Sequence, residues 1–549
     1  MTAILLLVLL PATSWAQEES LGDYARRVHT QKPTAVLISS EDGARLFKEV
    51  DTITQFSSQD SGLPKLGAVK RQLIGKTEAE THFRTTSENE TQHQRRIDEA
   101  TIVLEKFGML PANFGIDTAM RDLVVNGIAG FYDFNDKTMY LLNWIDPDLQ
   151  KMVMAHELTH ALQDQNFHLE KFQPTSQPPQ GAPRMKIDQV DSSEQSITRR
   201  AVVEGQATVV GLDYRLKAQG INLADSPNAR QIAESILQGS YDPPFTIHNA
   251  PRLLRETMIF PYREGLQFTL EVLAHGGRRE AFHETFKRPP SSTHQILQPD
   301  AYLRNEPTPS VKIGDLAPVF GSAYQAYDSG SIGELDVQIM SEEFGRENDI
   351  YTVARKWDGG SYVAVKRAGL AADVKVATSD LALVYLSHWK TQQAAERFGH
   401  IYLQGIAKRL PMSATEQQIC AEAKCPGPLW EEHAGTSEGP VHAEVWPGNI
   451  LLITHSVDDA QLPALRSILL PRPQPVPANA MHTNTAQTSQ LQPDAALPEL
   501  APRLFAMPQF QALSEQAGLE IALVLQKQFE HAKKARTLRP RLSPSTLKH

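Results

Sequence analysis

The stretch Val153-Met154-Ala155-His156-Glu157-Leu158-Thr159-His160 constrains this chain more than any other. It carries the pattern H-E-x-x-H. Residues four apart share one face of a helix, with Cβ atoms about 5–6 Å apart. Two imidazoles placed that way reach a single Zn²⁺ at about 2.0–2.1 Å. Glu157 lies beside that face, where it can reach a water next to the metal without being a ligand, so it is the expected general base. Leu149, Met152, Val153, His156 and His160 follow the apolar stripe of one helix, which points both histidines inward. Asp146 as N-cap and Pro147 at the first helical position start that helix, which is expected to run to about Gln165.

A third ligand is needed, and a second strong helix offers one. It is expected from about Asp191 to Lys217, with Glu194 in a capping box. Ile197, Ala201, Glu204 and Thr208 form its inner stripe, so Glu204 is a carboxylate on an apolar face. Such a group needs a partner. That partner is either a metal or Arg200, four residues earlier. Gly205 beside it permits another helix to come close. The rivals fit less well. His168 lies eight residues past His160, about 12 Å along a helix axis. Asp164 shares the helix of the two histidines, Glu194 is occupied in capping, and Glu170 has no such stripe. One Zn²⁺ per chain, held by His156, His160 and Glu204, is the expectation.

His156-Glu157-Leu158-Thr159-His160 with a downstream Glu204 resembles the gluzincin metallopeptidases, the thermolysin-like clan. Four blocks are similar, more narrowly, to a family of bacterial exported zincin-like proteins. They are Gly130-Phe131-Tyr132-Asp133, His156 to Asn166, Val203-Glu204-Gly205-Gln206-Ala207-Thr208, and Arg288-Pro289-Pro290-Ser291-Ser292-Thr293-His294-Gln295. The resemblance spans about residues 100–460. It implies a zincin-like domain, zinc as cofactor, His156, His160 and Glu204 as ligands, and Glu157 as general base. It also implies a peptide or protein substrate that pairs with a strand beside the active-site helix. One position departs from the pattern. Thermolysin-like enzymes carry an Asp four residues after the ligand Glu, supporting a ligand His, and here that residue is Thr208. Asp164 and Asp213 are the candidates to replace it. Tyr132, Tyr214 and Tyr262 are candidates to stabilise an oxyanion. The alternative reading is a zincin-fold protein that binds metal or a partner without turnover. Ser329-Gly330-Ser331-Ile332-Gly333 misses the serine-hydrolase elbow, because Ser329 stands where Gly is required. His168 and His294 are expected at the surface or in loops.

Elsewhere the patterning predicts an α+β fold. Residues 128–142 read as a hairpin, 171–190 as a Pro-rich loop, and 228–238 and 264–287 as helices, the last broken by Arg288-Pro289-Pro290. After about residue 306 the texture changes to a C-terminal α+β domain. Ser361–Val365 and Leu381–Trp389 read as strands there, Thr391–Leu410 as a helix, and Val441–Val445 with Ile450–Thr454 as a hairpin. The expected division is thus a zincin-like domain over 17–305 and an α+β accessory domain over 306–470. A Pro-rich linker over 471–508 and an amphipathic helix with a basic tail over 509–549 complete it.

With Lys+Arg 54 against Asp+Glu 64, the chain of 549 residues has a formal charge of −10, which argues against a nucleic-acid binder. Ala3–Leu10 is an apolar core followed by Ser14-Trp15-Ala16, so residues 1–16 read as a secretory signal and the protein as exported, periplasmic or extracellular. No later apolar run approaches about 18 residues, so no other membrane segment is expected. The two cysteines, Cys420 and Cys425, are expected to form a local disulfide in that compartment.

Overall fold

The computed structural model describes residues 38–85, 90–116, 130–143, 147–172, 192–223, 225–226, 229, 250–307, 311–345, 349, 352–371, 374–413, 416–419 and 427–470. The signal segment, both cysteines, the 228–238 helix apart from Ala229, the Pro-rich linker and the terminal helix lie outside the described residues.

Strands β1 (Lys70–Ile74), β2 (Gly130–Asp133) and β3 (Thr138–Leu142) form a sheet of order β1-β3-β2. The expected hairpin is present, antiparallel from Gly130↔Leu141 to Asp133↔Thr138. β1 joins β3 in parallel from far upstream, which no local pattern announces. Helices α1 (Ser40–Ser61) and α3 (Pro147–Phe167) pack on this sheet, α4 (Ser192–Leu216) on both of them, α5 (Arg252–Arg279) on α4, while α2 (Glu90–Phe107) reaches the second half.

Helix α3 carries the H-E-x-x-H pattern and is apolar on two sides. Met154, Ala155, Leu158 and Ala161 pack with Leu46, Val50 and Ile53 of α1 and with Tyr132, Met139 and Leu141 of the sheet. Met152 and Val153 face the other way, into the main core with Val202, Val209 and Val210 of α4. A helix buried all round in this way is held rigidly, because neither face can leave its partner without exposing apolar surface.

Helices α4 and α5 meet at two glycines. A Cβ on Gly205 would stand 2.2 Å from the Gly265 carbonyl, and one on Gly265 would stand 2.3 Å from the Ala201 carbonyl oxygen. The close approach expected at Gly205 is therefore made, and Gly265 is its counterpart. α5 begins at Arg252, twelve residues before the expected start, because Pro261 reads as a breaker but is accommodated inside the helix. It kinks at Gly277, whose φ of 69° is left-handed, and a π-helical turn, Glu280–Glu284, comes directly after.

The second half is built on a seven-stranded sheet of order β4-β5-β6-β10-β9-β8-β7, antiparallel throughout. Its strands are β4 (Tyr324–Ser331), β5 (Trp357–Arg367), β6 (Leu381–Trp389), β7 (Glu416–Ile419), β8 (Trp430–Thr436), β9 (Gly439–Trp446) and β10 (Ile450–His455). Period-two alternation assigns its faces. Val363, Val365, Ala382, Val384 and Leu386 pack under α8 (Leu462–Leu469). Tyr362, Ala364, Leu381, Leu383 and Tyr385 turn to the other side, toward α6 (Glu334–Phe344) and α7 (Gln392–Ala407). β6 matches its expected span, β5 is longer, and β4 and β8 carry no clear strand pattern, being rich in Asp, Ser and Glu. The fold is thus α+β, and one hydrophobic cluster runs from Ile74 to Ile453 through both halves. Phe107 meets Tyr362 edge-on at 5.4 Å, and the buried Lys106 ammonium donates to Glu438 Oε2 at 2.9 Å and Ser456 Oγ at 2.9 Å.

Candidate metal centre

The three expected ligands converge. His156 Nε2 lies 3.2 Å from Glu204 Oε2, His160 Nε2 lies 3.3 Å from the same oxygen, and the two Nε2 atoms are 3.0 Å apart. A tetrahedral ion with ligand bonds of about 2.0–2.1 Å needs donor atoms about 3.3–3.4 Å apart. The triangle is therefore near the size that one such ion requires. Among the described residues this is the group of three His, Cys, Asp or Glu side chains gathered closely enough to hold a metal.

Helix geometry explains the convergence. His156 and His160 stand one turn apart on α3, with rings edge to face at 4.6 Å. Gly211 of α4 lies against the base of His156, where even a Cβ would come 3.6 Å from His156 Cβ, so the two helices pass closely. Glu204 faces that crossing. His160 is 5 % exposed, Glu204 is 4 %, and the His156 side chain is 13 %, so the centre meets solvent on the His156 side. Arg200 also approaches Glu204, at 3.7 Å, so both partners weighed for that carboxylate are present.

Electrostatics follow from the burial. Desolvation alone would lower His160, but the Glu204 charge and hydrogen bond outweigh it and hold the imidazole up to about 9. Desolvation pushes Glu204 up, and His160, His156 and Arg200 more than reverse it, so its carboxylate stays ionised. Glu157 is different. It is 2 % exposed, its Oε2 has no hydrogen-bond partner, and burial raises its pKa despite the neighbouring histidines. The Tyr132 backbone is close enough to Glu157 to lower it in turn, which places β2 beside it. A buried carboxylate oxygen without a donor is costly unless something binds there. Its position beside three gathered donor atoms fits a centre that takes a cation and a water.

The residues around the triangle depart from expectation in instructive ways. Asp164 and Asp213 are both engaged with other groups. Asp164 accepts from Tyr132 Oη at 2.9 Å, Lys137 Nζ at 2.8 Å and the Leu169 backbone at 3.1 Å, closing the end of α3 against the hairpin. Asp213 accepts from the Leu223 backbone, far along α4 from Glu204. The Thr208 hydroxyl is buried with no hydrogen-bond partner. The support is instead Gln163, whose Oε1 lies 2.9 Å from His160 Nδ1. Gln163 falls on the stripe of His156 and His160, seven and three residues on, so the periodicity that found the ligands also marks it.

Of the three tyrosines, Tyr132 is committed to Asp164, and Tyr214 packs against Phe56 under Lys217. The Tyr262 ring lies 6.1 Å from that of His156 and nearly parallel to it. The rival ligands stay away. His168 is exposed with a φ of 55° at the end of α3, Glu170 is exposed, and Glu194 accepts from the backbone and hydroxyl of Thr293. His294 is not at the surface as expected: it is 7 % exposed, inside the short helix Thr293–Leu297, with its Nδ1 on Glu334 Oε2. The preceding Ser291-Ser292 reads as loop, but Glu194 holds Thr293 and Glu334 holds His294 in the interior.

Scans against protein-family models, curated proteins and solved structures found no match to this chain.

Proposed function

We propose that this chain is an exported, zinc-dependent metallopeptidase of zincin-like fold. The observation that carries the reading is the buried triangle of His156, His160 and Glu204, with the unpartnered Glu157 oxygen beside it. Two imidazoles and one carboxylate are the ligand set of hydrolytic zinc centres that keep an open position. Zinc bound there would polarise a peptide carbonyl and acidify a water. Glu157 Oε2 takes the proton of the attacking water and returns it to the leaving amine. Tyr262 walls the centre at His156. β2 is an edge strand of its sheet and runs past Glu157, so it offers backbone groups to an extended peptide. The apolar Ala3–Leu10 segment supports export.

The test is cleavage of a denatured protein by the purified chain, with and without a chelator and with Glu157→Gln. Cleavage that the chelator stops, zinc restores and Glu157→Gln lacks is the expected result. Zinc held at the triangle with no cleavage would leave a metal-binding protein without turnover. Cleavage indifferent to chelator would remove the centre from the mechanism.

A further inference from the structure

Behind His160 stands a chain of buried amides whose direction can be deduced from its ends. Gln206 Nε2 is 2.7 Å from the Ala281 carbonyl and 3.0 Å from Thr285 Oγ1. Thr285 donates its own hydroxyl proton to Ala281 O at 2.8 Å, so toward Gln206 it can only accept. Both contacts require N–H groups, so Gln206 must present its NH₂ to them and turn Oε1 away. That Oε1 lies 2.9 Å from Gln163 Nε2. Gln163 Nε2 also donates to the Val203 carbonyl at 3.0 Å, which uses both of its protons. Gln163 Oε1 is then fixed toward His160 Nδ1, which must carry a proton to meet it. Gln163 and Gln206 are both 0 % exposed, so no water enters to relax the choice.

We infer that Gln163 and Gln206 are positioning residues that hold His160 with Nδ1 protonated and Nε2 turned to the metal site. The inference rests on the metal reading above and extends it. With Nδ1 held as a donor, Nε2, the atom that faces His156 and Glu204, is the nitrogen that gives up its proton when a metal binds. The relay also joins three elements: α3 through Gln163, α4 through Val203 and Gln206, and the π-helical turn through Ala281. Val203 precedes the ligand Glu204, so one amide ties both ligand-bearing helices together.

The direction of the amide chain requires an amide at this position and not a carboxylate. A carboxylate at position 163 could accept from His160, but it would set its other oxygen against Val203 O and Gln206 Oε1. The first is a backbone acceptor, and the second is kept an acceptor by the bonds of the Gln206 NH₂. Gln163→Glu is therefore expected to fail as Gln163→Leu does.

Two readouts test this on the full chain, with thermal melts to confirm that each variant folds. The first is the ¹H–¹⁵N signal of the His160 Nδ1–H in metal-free protein, which needs no zinc. It is expected to be slow to exchange in wild type and fast in Gln163→Leu and Gln206→Leu, a difference that a merely structural role would not produce. The second is zinc affinity by competition titration, expected to fall about 10–100-fold in Gln163→Leu and Gln163→Glu, and less in Gln206→Leu. Fast exchange in folded wild type, or wild-type zinc affinity in Gln163→Leu, would overturn the relay. Wild-type affinity in Gln163→Glu would overturn its direction. A protected Nδ1–H in a chain that takes no zinc would sink the metal reading and leave the relay standing.

Discussion

Two places among the described residues bring a pair of histidines and a carboxylate together, and they are not alike. On α3 and α4, His156, His160 and Glu204 gather their ligand atoms within 3.3 Å of one another, with Gln163 behind one ring. On the large sheet, His433 and His442 stand directly opposite on β8 and β9, their rings stacked at 5.4 Å. Asp459 Oδ1 comes 3.4 Å from His442 Nε2, yet that nitrogen makes no hydrogen bond, and the Asp459 side chain is 85 % exposed. The difference lies in what stands behind the side chains. Two helices that pass closely at Gly211, and amides with no freedom to flip, aim the first set at a common point. Cross-strand pairing merely makes the second set neighbours. Ligand types in proximity do not make a metal centre without a scaffold that fixes their orientation.

The sharpest way to break this comparison is to remove one histidine from each place. His160→Ala is expected to lower zinc affinity by roughly 10³-fold or more and abolish proteolysis. His442→Ala should leave both unchanged. Competition titration of the two variants side by side checks this, and equal losses would erase the distinction. Glu157→Gln comes next. It should keep zinc while turnover drops about 10³-fold, measured with a quenched peptide substrate, because the carboxylate moves a proton and holds no metal.

Much of the helical centre is legible in the sequence because its information is local. The spacing of His156 and His160 and the stripe containing Glu204 are each contained in one helix, where the 3.6-residue period converts position into direction. Gln163 lies on the stripe of the two histidines, but its partners on α4 are contained in no single window. Gln206 lies off the stripe of Glu204 and is inward only because α4 is buried on every side, which is a tertiary fact. His294 is misplaced by sequence pattern for the same reason, since Glu334 lies forty residues away. The strands of the large sheet divide likewise. β6 is apolar enough to read directly. β4 and β8 bury Asp328, Ser329 and Glu432 among partners that no window contains. β1 is invisible locally because its partner β3 is distant, and a parallel pairing leaves no turn to mark it.

Smaller effects sharpen the account of the scaffold. Gly265→Ala should destabilise the chain by about 2–3 kcal/mol in urea unfolding and weaken zinc binding, since its Cβ has only backbone to meet. Gly67→Ala, with nothing within 4 Å, should change stability by less than about 0.5 kcal/mol. The sheet makes a prediction in pH. Burial lowers His442 and lowers His455 well below the ordinary value of 6.5. Above about 6.5 these rings are neutral in both folded and unfolded chains, so their contribution is complete there. As pH falls below it the unfolded chain takes up protons that the fold refuses. Each ring should then cost up to about 1.4 kcal/mol of stability per pH unit. Unfolding free energies at pH 7 and pH 5.5 measure this, and a flat profile would contradict it.

The most direct test of the central claim is the zinc content of the purified chain, wild type against Glu204→Ala, after reconstitution and removal of free metal. One zinc per wild-type chain and essentially none in a folded Glu204→Ala variant is the result that the two-helix centre predicts. A wild-type chain that folds and retains no zinc, or a Glu204→Ala variant that retains it as tightly as wild type, would contradict the account.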